Sequence, residues 1–147
     1  PLRRDLGDSA RQLNIPQPSP ASSRWAFAIT YANMLTESQG SAVLRESFLA
    51  AGYNIHDNVP FSEDGVAFHV DGFDPVARVG FEFITTEAGD RTELSQETIA
   101  KIEQRIARGE LFILLVDEYD VATEDELRQY AERFLDMVAT RRRGNRE

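Results

Sequence analysis

Three carboxylates between Val66 and Thr85 give the strongest chemical signal in this sequence. Asp71 and Asp74 follow one β-rich run and Glu82 lies in the next, so a hairpin would bring the three side chains together. Carboxylate oxygens are ligands that Mg²⁺ prefers, and bound Mg²⁺ lowers the pKa of a water molecule for phosphodiester hydrolysis. The three residues are therefore a candidate metal and catalytic site.

Such a site also needs a basic residue, which the motif lacks. Ile84 stands two positions after Glu82, where a lysine would complete it, and Lys101 is the only lysine in the chain. One interpretation is a Mg²⁺-dependent catalytic set of the three carboxylates with Lys101. The other is structural: Asp-Gly and Asp-Pro favour turns, and Glu82 lies solvated on the outer face of its strand. We favour the second, and expect no catalytic residues, no metal and no cofactor.

Two further motifs lead to weaker hypotheses. The segment 111–120, LFILLVDEYD, is similar to a Walker B strand, in which Asp117 would hold Mg²⁺ and Glu118 would polarise water. No GxxxxGK[ST] loop accompanies it, so we do not expect an ATPase. His56 and His69 lack the spacing of zinc ligands, and the absence of cysteine excludes thiolate sites.

The elements that would position these residues follow from periodicity and caps. Residues 1–21 carry Pro16, Pro18 and Pro20 and are predicted to be an extended arm, and 22–147 a single domain. Two helices are predicted at 24–38, ended by Gly40, and at 41–51, ended by Gly52. A polar loop with His56, Asp57 and Pro60 is expected to follow.

The second half of the sequence alternates between strands and helices. Strands 66–70 and 77–85 are predicted to form a hairpin connected by 71–75, and Ser95 to cap a helix ending at Gly109. The run 111–116 is apolar throughout, which predicts a strand buried on both faces, and Thr123 with Glu126 caps a final helix. The order ααββαβα predicts an α/β (α+β) fold, a small mixed sheet with helices on both faces.

This order, with an aspartate on one strand and a glutamate on the next, resembles the PD-(D/E)XK nuclease-like fold over residues 41–116. The resemblance implies that Asp71 or Asp74 is the metal aspartate and Glu82 the glutamate, and that Ile84 occupies the lysine position. In that family, loss of the lysine implies a domain that kept the fold and lost the chemistry.

Charge and composition restrict the partners. A net charge of −9 repels nucleic acid, and no apolar run reaches the roughly 20 residues that span a bilayer, so we do not expect membrane insertion. The expected location is the cytoplasm. Trp25, Phe27 and Tyr31 beside the arm are candidate contacts for a second copy or another protein. The main hypothesis is a non-catalytic soluble domain that acts through protein–protein contact. The alternatives are a Mg²⁺-dependent nuclease or phosphodiesterase and a small-ligand binding domain.

Overall fold

The computed structural model describes residues 34–146. The predicted arm, residues 24–33 of the first predicted helix, and the predicted contact residues Trp25, Phe27 and Tyr31 lie outside this range.

Within it, a four-stranded sheet has the order β1-β2-β3-β4. Its first three strands are antiparallel neighbours and β4 is parallel to β3, so a crossover through helix joins the last two strands. The elements in chain order are α1 (Glu37–Ala50), β1 (His56–Glu63), β2 (Val66–Asp74), β3 (Val79–Ile84), α2 (Asp90–Glu93), α3 (Gln96–Ala107), β4 (Phe112–Asp117), a 3₁₀ turn (Glu118–Asp120) and α4 (Glu124–Arg146).

Each face of the sheet has its own hydrophobic core. On one face α1 and α4 pack on alternate residues of β3, with Phe48 and Leu127 fully buried. On the other face Ile102 of α3 packs with Phe73 and Ile113. The predicted class, a small mixed sheet with helices on both faces, is confirmed. In the described range no helix is long and apolar enough to cross a membrane.

Helix α1 differs from the prediction at its start. Thr36 accepts a hydrogen bond from the Gln39 backbone (3.1 Å) and donates its own N–H to the Gln39 side chain (2.9 Å), which completes a capping box. The helix therefore runs through Gly40, whose missing side chain leaves room for the ring of Phe83. The predicted helix break at Gly40 is wrong, because this glycine serves close packing rather than a helix end.

The predicted loop with His56, Asp57 and Pro60 is also wrong, because these residues lie in β1. This strand is at the sheet edge and only Phe61 in it is buried, so no alternation of apolar residues marks it. An edge strand tolerates Pro60, since its outer side needs no backbone donor. The predicted order ααββαβα therefore omitted the strand β1. In addition, β2 continues to Asp74, so the predicted connection 71–75 is displaced to residues 75–78.

The later elements agree with their predicted caps. Ser95 accepts a hydrogen bond from the Thr98 backbone (3.2 Å), and Gly109 after α3 has a φ of 75°. Thr123 and Glu126 form the reciprocal cap of α4. Alternate residues of β4 pack into the two opposite cores, as its continuous apolar run predicts.

Candidate functional site: a carboxyl cluster in a forked sheet

The sheet forks between β2 and β3. These strands pair over only three residues each, from Gly72 opposite Phe81 to Asp74 opposite Val79. Beyond that point β2 stays paired with β1 and β3 with β4. Asp71 and Glu82 are the first residues past the paired segment, so both lie where the two strands separate.

At the fork, the alternation of core-facing and outward-facing residues along β2 is interrupted. Val70 and Phe73 pack in the same core although they are three residues apart, and the pairing with β1 skips Asp71 and its opposite residue Asn58. Asn58 has a φ of 49°, a conformation that asparagine adopts more readily than most residues. The backbone N–H of Asp71 is thereby available for a side chain.

Side chains of Asp71 and Glu82 take the place of backbone pairing in the fork. The Asp71 N–H donates to Glu82 Oε1 at 2.8 Å, and the Phe83 N–H donates to Asp71 Oδ2 at 2.8 Å. Each carboxyl is held by the opposite strand. Their convergence is therefore built into the strand geometry.

Two more carboxyls join them from helices. The Thr85 hydroxyl donates to Glu37 Oε1 of α1 at 2.9 Å, and the Thr85 N–H donates to Asp90 Oδ2 of α2 at 3.0 Å. The Ser41 hydroxyl lies 3.1 Å from Glu37 Oε2 and 3.5 Å from Asp71 Oδ2. We call these four residues, Glu37, Asp71, Glu82 and Asp90, the carboxyl cluster.

Burial makes the charged forms of the carboxyl cluster costly. Glu82 is 0% and Asp90 6% exposed, and no described Lys, Arg or His forms an ion pair with any of the four. Burial, reinforced by the neighbouring acids, raises the pKa of Asp71 to about 8 and that of Glu82 to about 10. Burial also raises the pKa values of Glu37 and Asp90. The cluster therefore retains protons at neutral pH.

One oxygen in the cluster has no hydrogen-bond donor. Glu82 Oε2 is buried without a partner, next to the Asp90 carboxyl, with which it can share a proton. Glu37, Asp71 and Asp90 line a cleft of about 530 Å³, together with His69 and Glu93. No three acidic or histidine side chains of residues 34–146 are already arranged around one metal position.

Asp74, the third predicted carboxylate, is not part of the cluster. Its Oδ1 accepts hydrogen bonds from the backbones of Val76 (3.0 Å) and Ala77 (2.9 Å), and its Oδ2 from Asn54 (2.9 Å). Asp74 thus organises the turn after β2, as a turn aspartate should. The same structural interpretation is wrong for Asp71, which lies in a strand, and for Glu82, which is buried rather than solvated.

The basic residue considered for catalysis is elsewhere. Lys101 Nζ lies 3.4 Å from Glu97 Oε1 on α3, next to Gly65 in the β1–β2 turn. Ile84, at the lysine position, is buried in the core under α3. The structure therefore brings no lysine to the carboxyl cluster.

The acidic end of β4 has a structural partner. Arg91 pairs with Asp117 at 2.7 Å and with Glu118 at 3.1 Å, and Glu118 also accepts a hydrogen bond from the Thr86 backbone at 2.8 Å. These contacts fasten β4 to the segment that follows β3. His56 and His69 occupy different places in the fold. In the pairing of β1 with β2, His56 lies opposite Phe73, whereas His69 lines the cleft.

Glu37 and Asp90 were not found by sequence reasoning. Glu37 stood in the tail of a predicted helix and Asp90 in a predicted loop, 34 residues before and 19 residues after Asp71. No spacing rule connects residues that meet only when α1 and α2 approach the fork. The missed capping box at Thr36 was the one local signal, since it places Glu37 in the first turn of α1.

Comparison of the chain with protein-family models, with curated proteins and with solved structures gives no significant match. The function of the carboxyl cluster must therefore be argued from its own geometry.

Proposed function

We propose that this domain binds a divalent cation at the carboxyl cluster and does not hydrolyse phosphodiesters. The observation that carries the proposal is the set of four neighbouring carboxyls, Glu82 and Asp90 buried and Glu37 and Asp71 half-buried, with which no described Lys, Arg or His forms an ion pair. Burying a carboxylate without an opposite charge costs several kcal/mol, so the group either takes a proton or pairs with a cation. A divalent cation would replace protons that the four groups otherwise share.

The donors suit a hard divalent cation. Mg²⁺, Mn²⁺ and Ca²⁺ bind carboxylate oxygens, and the cluster supplies them from two strands and two helices. Glu82 Oε2 also supports the proposal, because this buried oxygen accepts no hydrogen bond and a cation would take the place of the proton that it can share with Asp90. A bound cation would keep the carboxylates ionised and polarise a water molecule. By contact with α1, the fork and α2, it would also hold these elements together.

The surroundings argue against hydrolysis of phosphodiesters. The lysine position holds buried Ile84, and Lys101 is paired on α3. The cleft carries Asp57 and Glu93 besides the cluster, and the chain has a net charge of −9, so an anionic substrate is repelled. This supports the main hypothesis of a non-catalytic domain. Its proposed contact residues, Trp25, Phe27 and Tyr31, lie outside the described residues.

We expect Mn²⁺ or Mg²⁺ to raise the melting temperature at pH 8. A cation at one hundred times its Kd stabilises the folded state by about 2.7 kcal/mol, or about 10 °C for a domain of this size. Differential scanning fluorimetry with EDTA as the reference measures the shift. Asp90→Asn should remove most of it, whereas Asp74→Asn should lower stability but keep the shift. An equal shift in both variants, or no shift at 10 mM cation, would contradict cation binding at this cluster.

The second candidate function, a Mg²⁺-dependent nuclease or phosphodiesterase, is supported by the position of Asp71 and Glu82 on adjacent strands. We expect no hydrolysis of plasmid DNA or of bis(p-nitrophenyl) phosphate with Mg²⁺ or Mn²⁺, because no lysine or arginine of the described range forms an ion pair with a carboxyl of the cluster. Hydrolysis by the purified chain that Asp71→Asn abolishes would overturn the non-catalytic proposal in favour of the nuclease.

A further inference from the structure

The two edge strands of the sheet, β1 and β4, differ in composition. β1 carries Pro60, the charged Asp57, and Asn58 with a φ of 49°, which interrupts its pairing. Proline, charged residues and bulges are the features that keep an edge strand from pairing with another chain. β4 has neither a proline nor a positive φ, and its residues 112–116 are all apolar. Among residues 34–146, no strand pairs with its outer side.

The backbone of β4 directs hydrogen-bonding groups toward this outer side. The Phe112 N–H donates to the Arg78 carbonyl at 3.0 Å, and β4 continues parallel to β3 from there. Backbone groups of successive residues in a strand point to opposite sides. The N–H and C=O groups of Ile113 and Leu115 therefore point away from β3, in the direction of an added strand.

The side chains at this edge are apolar and incompletely covered. Leu114 and Leu115 are half-buried, although Phe112 and Ile113 beside them are each 1% exposed. Leu114 packs against the core under α1 and α4, and Leu115 against the core under α3. A strand added at the edge would cover apolar surface on both faces of the sheet while it pairs with the backbone.

The two ends of β4 carry opposite charges. The guanidinium groups of Arg141 and Arg142 lie 5.4 and 5.2 Å from the ring centroid of Phe112, so the start of the strand is positive. Residues 117–120, DEYD, follow its last apolar residue, and Arg91 is the only described cation paired with them. That end remains negative. Two antiparallel copies of β4 would bring each positive end to a negative one.

We propose that the outer edge of β4 pairs in antiparallel orientation with β4 of a second copy, which joins the two sheets into one continuous sheet across a two-fold axis. The proposal stands on the outward backbone groups, the half-buried leucines and the opposite charges of the two strand ends. A two-fold axis gives both copies the same contacts, as in most homodimers. The interface is independent of cation binding at the carboxyl cluster.

The full chain in EDTA tests the proposal by sedimentation velocity from about 1 to 200 µM. The mass should rise to twice that of one chain. Leu115→Lys should weaken association at least tenfold, because a charge on an edge strand opposes pairing. Val59→Lys is the matched control, since Val59 is also half-buried against the core under α3 but lies on β1. This variant should associate within about twofold of the wild type.

Amide hydrogen exchange of the wild-type chain identifies the paired strand even if a variant fails to fold. The Ile113 and Leu115 amides should exchange at least tenfold more slowly at dimer concentrations than at monomer concentrations. A monomer at 200 µM would overturn the proposal, and slow exchange of these amides in that monomer would assign the edge to residues 1–33. A dimer in which both amides exchange at the monomer rate, or that Leu115→Lys leaves intact, would place the interface elsewhere and also overturn it.

Discussion

Replacing Glu82 by glutamine should make the protein more stable at pH 8 and reduce the dependence of its stability on pH. Burial raises the pKa of Glu82 to about 10, above the ordinary value of 4.5 that applies in the unfolded chain. The folded state therefore keeps a proton that the unfolded state has lost. Glutamine has nearly the same shape and needs no proton to be neutral, so the variant avoids this difference.

The sign of the pH dependence follows from the direction of the shift. A raised pKa in the folded state contributes stability that is fully present below the unfolded pKa and lost as pH rises through the folded value. For Glu82 this interval lies between about 4.5 and 10, and for Asp71 between 3.8 and about 8. The free energy of unfolding should thus fall from pH 5 to pH 8 by about 1.4 kcal/mol per pH unit for each retained proton.

Thermal unfolding in EDTA from pH 5 to pH 9 tests this expectation. The wild-type melting temperature should fall by about 5 °C per pH unit for one retained proton, and Glu82→Gln should remove that part of the slope. Glu103→Gln, the same change at an exposed position of α3, should leave the profile unchanged. A wild-type profile that is flat or rises from pH 6 to pH 9 would show that the carboxyl cluster is ionised in the folded protein.

Local signals in the sequence predicted the second half of the fold. Ser95 and Gly109 mark the ends of α3, and Thr123 with Glu126 marks the start of α4, because caps act within one turn of helix. The continuous apolar run 111–116 predicted that β4 is buried on both faces. In the structure the residues of this run pack alternately into the two cores.

Tertiary contacts determine the parts of the fold that sequence patterns did not predict. An exposed edge strand such as β1 is stabilised by pairing with β2, which its own residues do not encode as alternation. Gly40 resembles a helix stop, but its close contact with Phe83 can be recognised only when β3 lies beneath α1.

Sequence patterns predicted two of the four residues of the carboxyl cluster, because the other two reach it only through tertiary contacts. The sequence placed Asp71 in the connection after one predicted strand and Glu82 on the next strand, and the structure joins them through the fork. Glu37 and Asp90 come from helices that no short-range pattern relates to those strands. Asp74 looked equivalent to Asp71 in sequence, yet the paired segment ends between them, so one faces a turn and the other the fork.

The paired segment that ends at the fork depends on two glycines, each opposite an aromatic residue. Gly72 lies opposite Phe81, and Gly80 lies opposite Phe73. A Cβ on Gly80 would overlap the carbonyl oxygen of Gly72 and lie 2.8 Å from Phe73 Cδ1. The obstacle is backbone rather than a flexible side chain, so it cannot move without separating β2 from β3.

Gly80→Ala should therefore lower the free energy of unfolding by about 3 kcal/mol or more, because the backbone that the new Cβ would overlap cannot shift without breaking the strand pairing. In thermal unfolding the loss corresponds to about 10 °C. Gly144→Ala is the matched control, since a Cβ there meets no atom within 4 Å and alanine favours the helix α4. That variant should be as stable as the wild type or slightly more so. If Gly80→Ala were equally stable, β2 and β3 would have to pair differently, and the fork that holds Asp71 beside Glu82 would lose its structural basis.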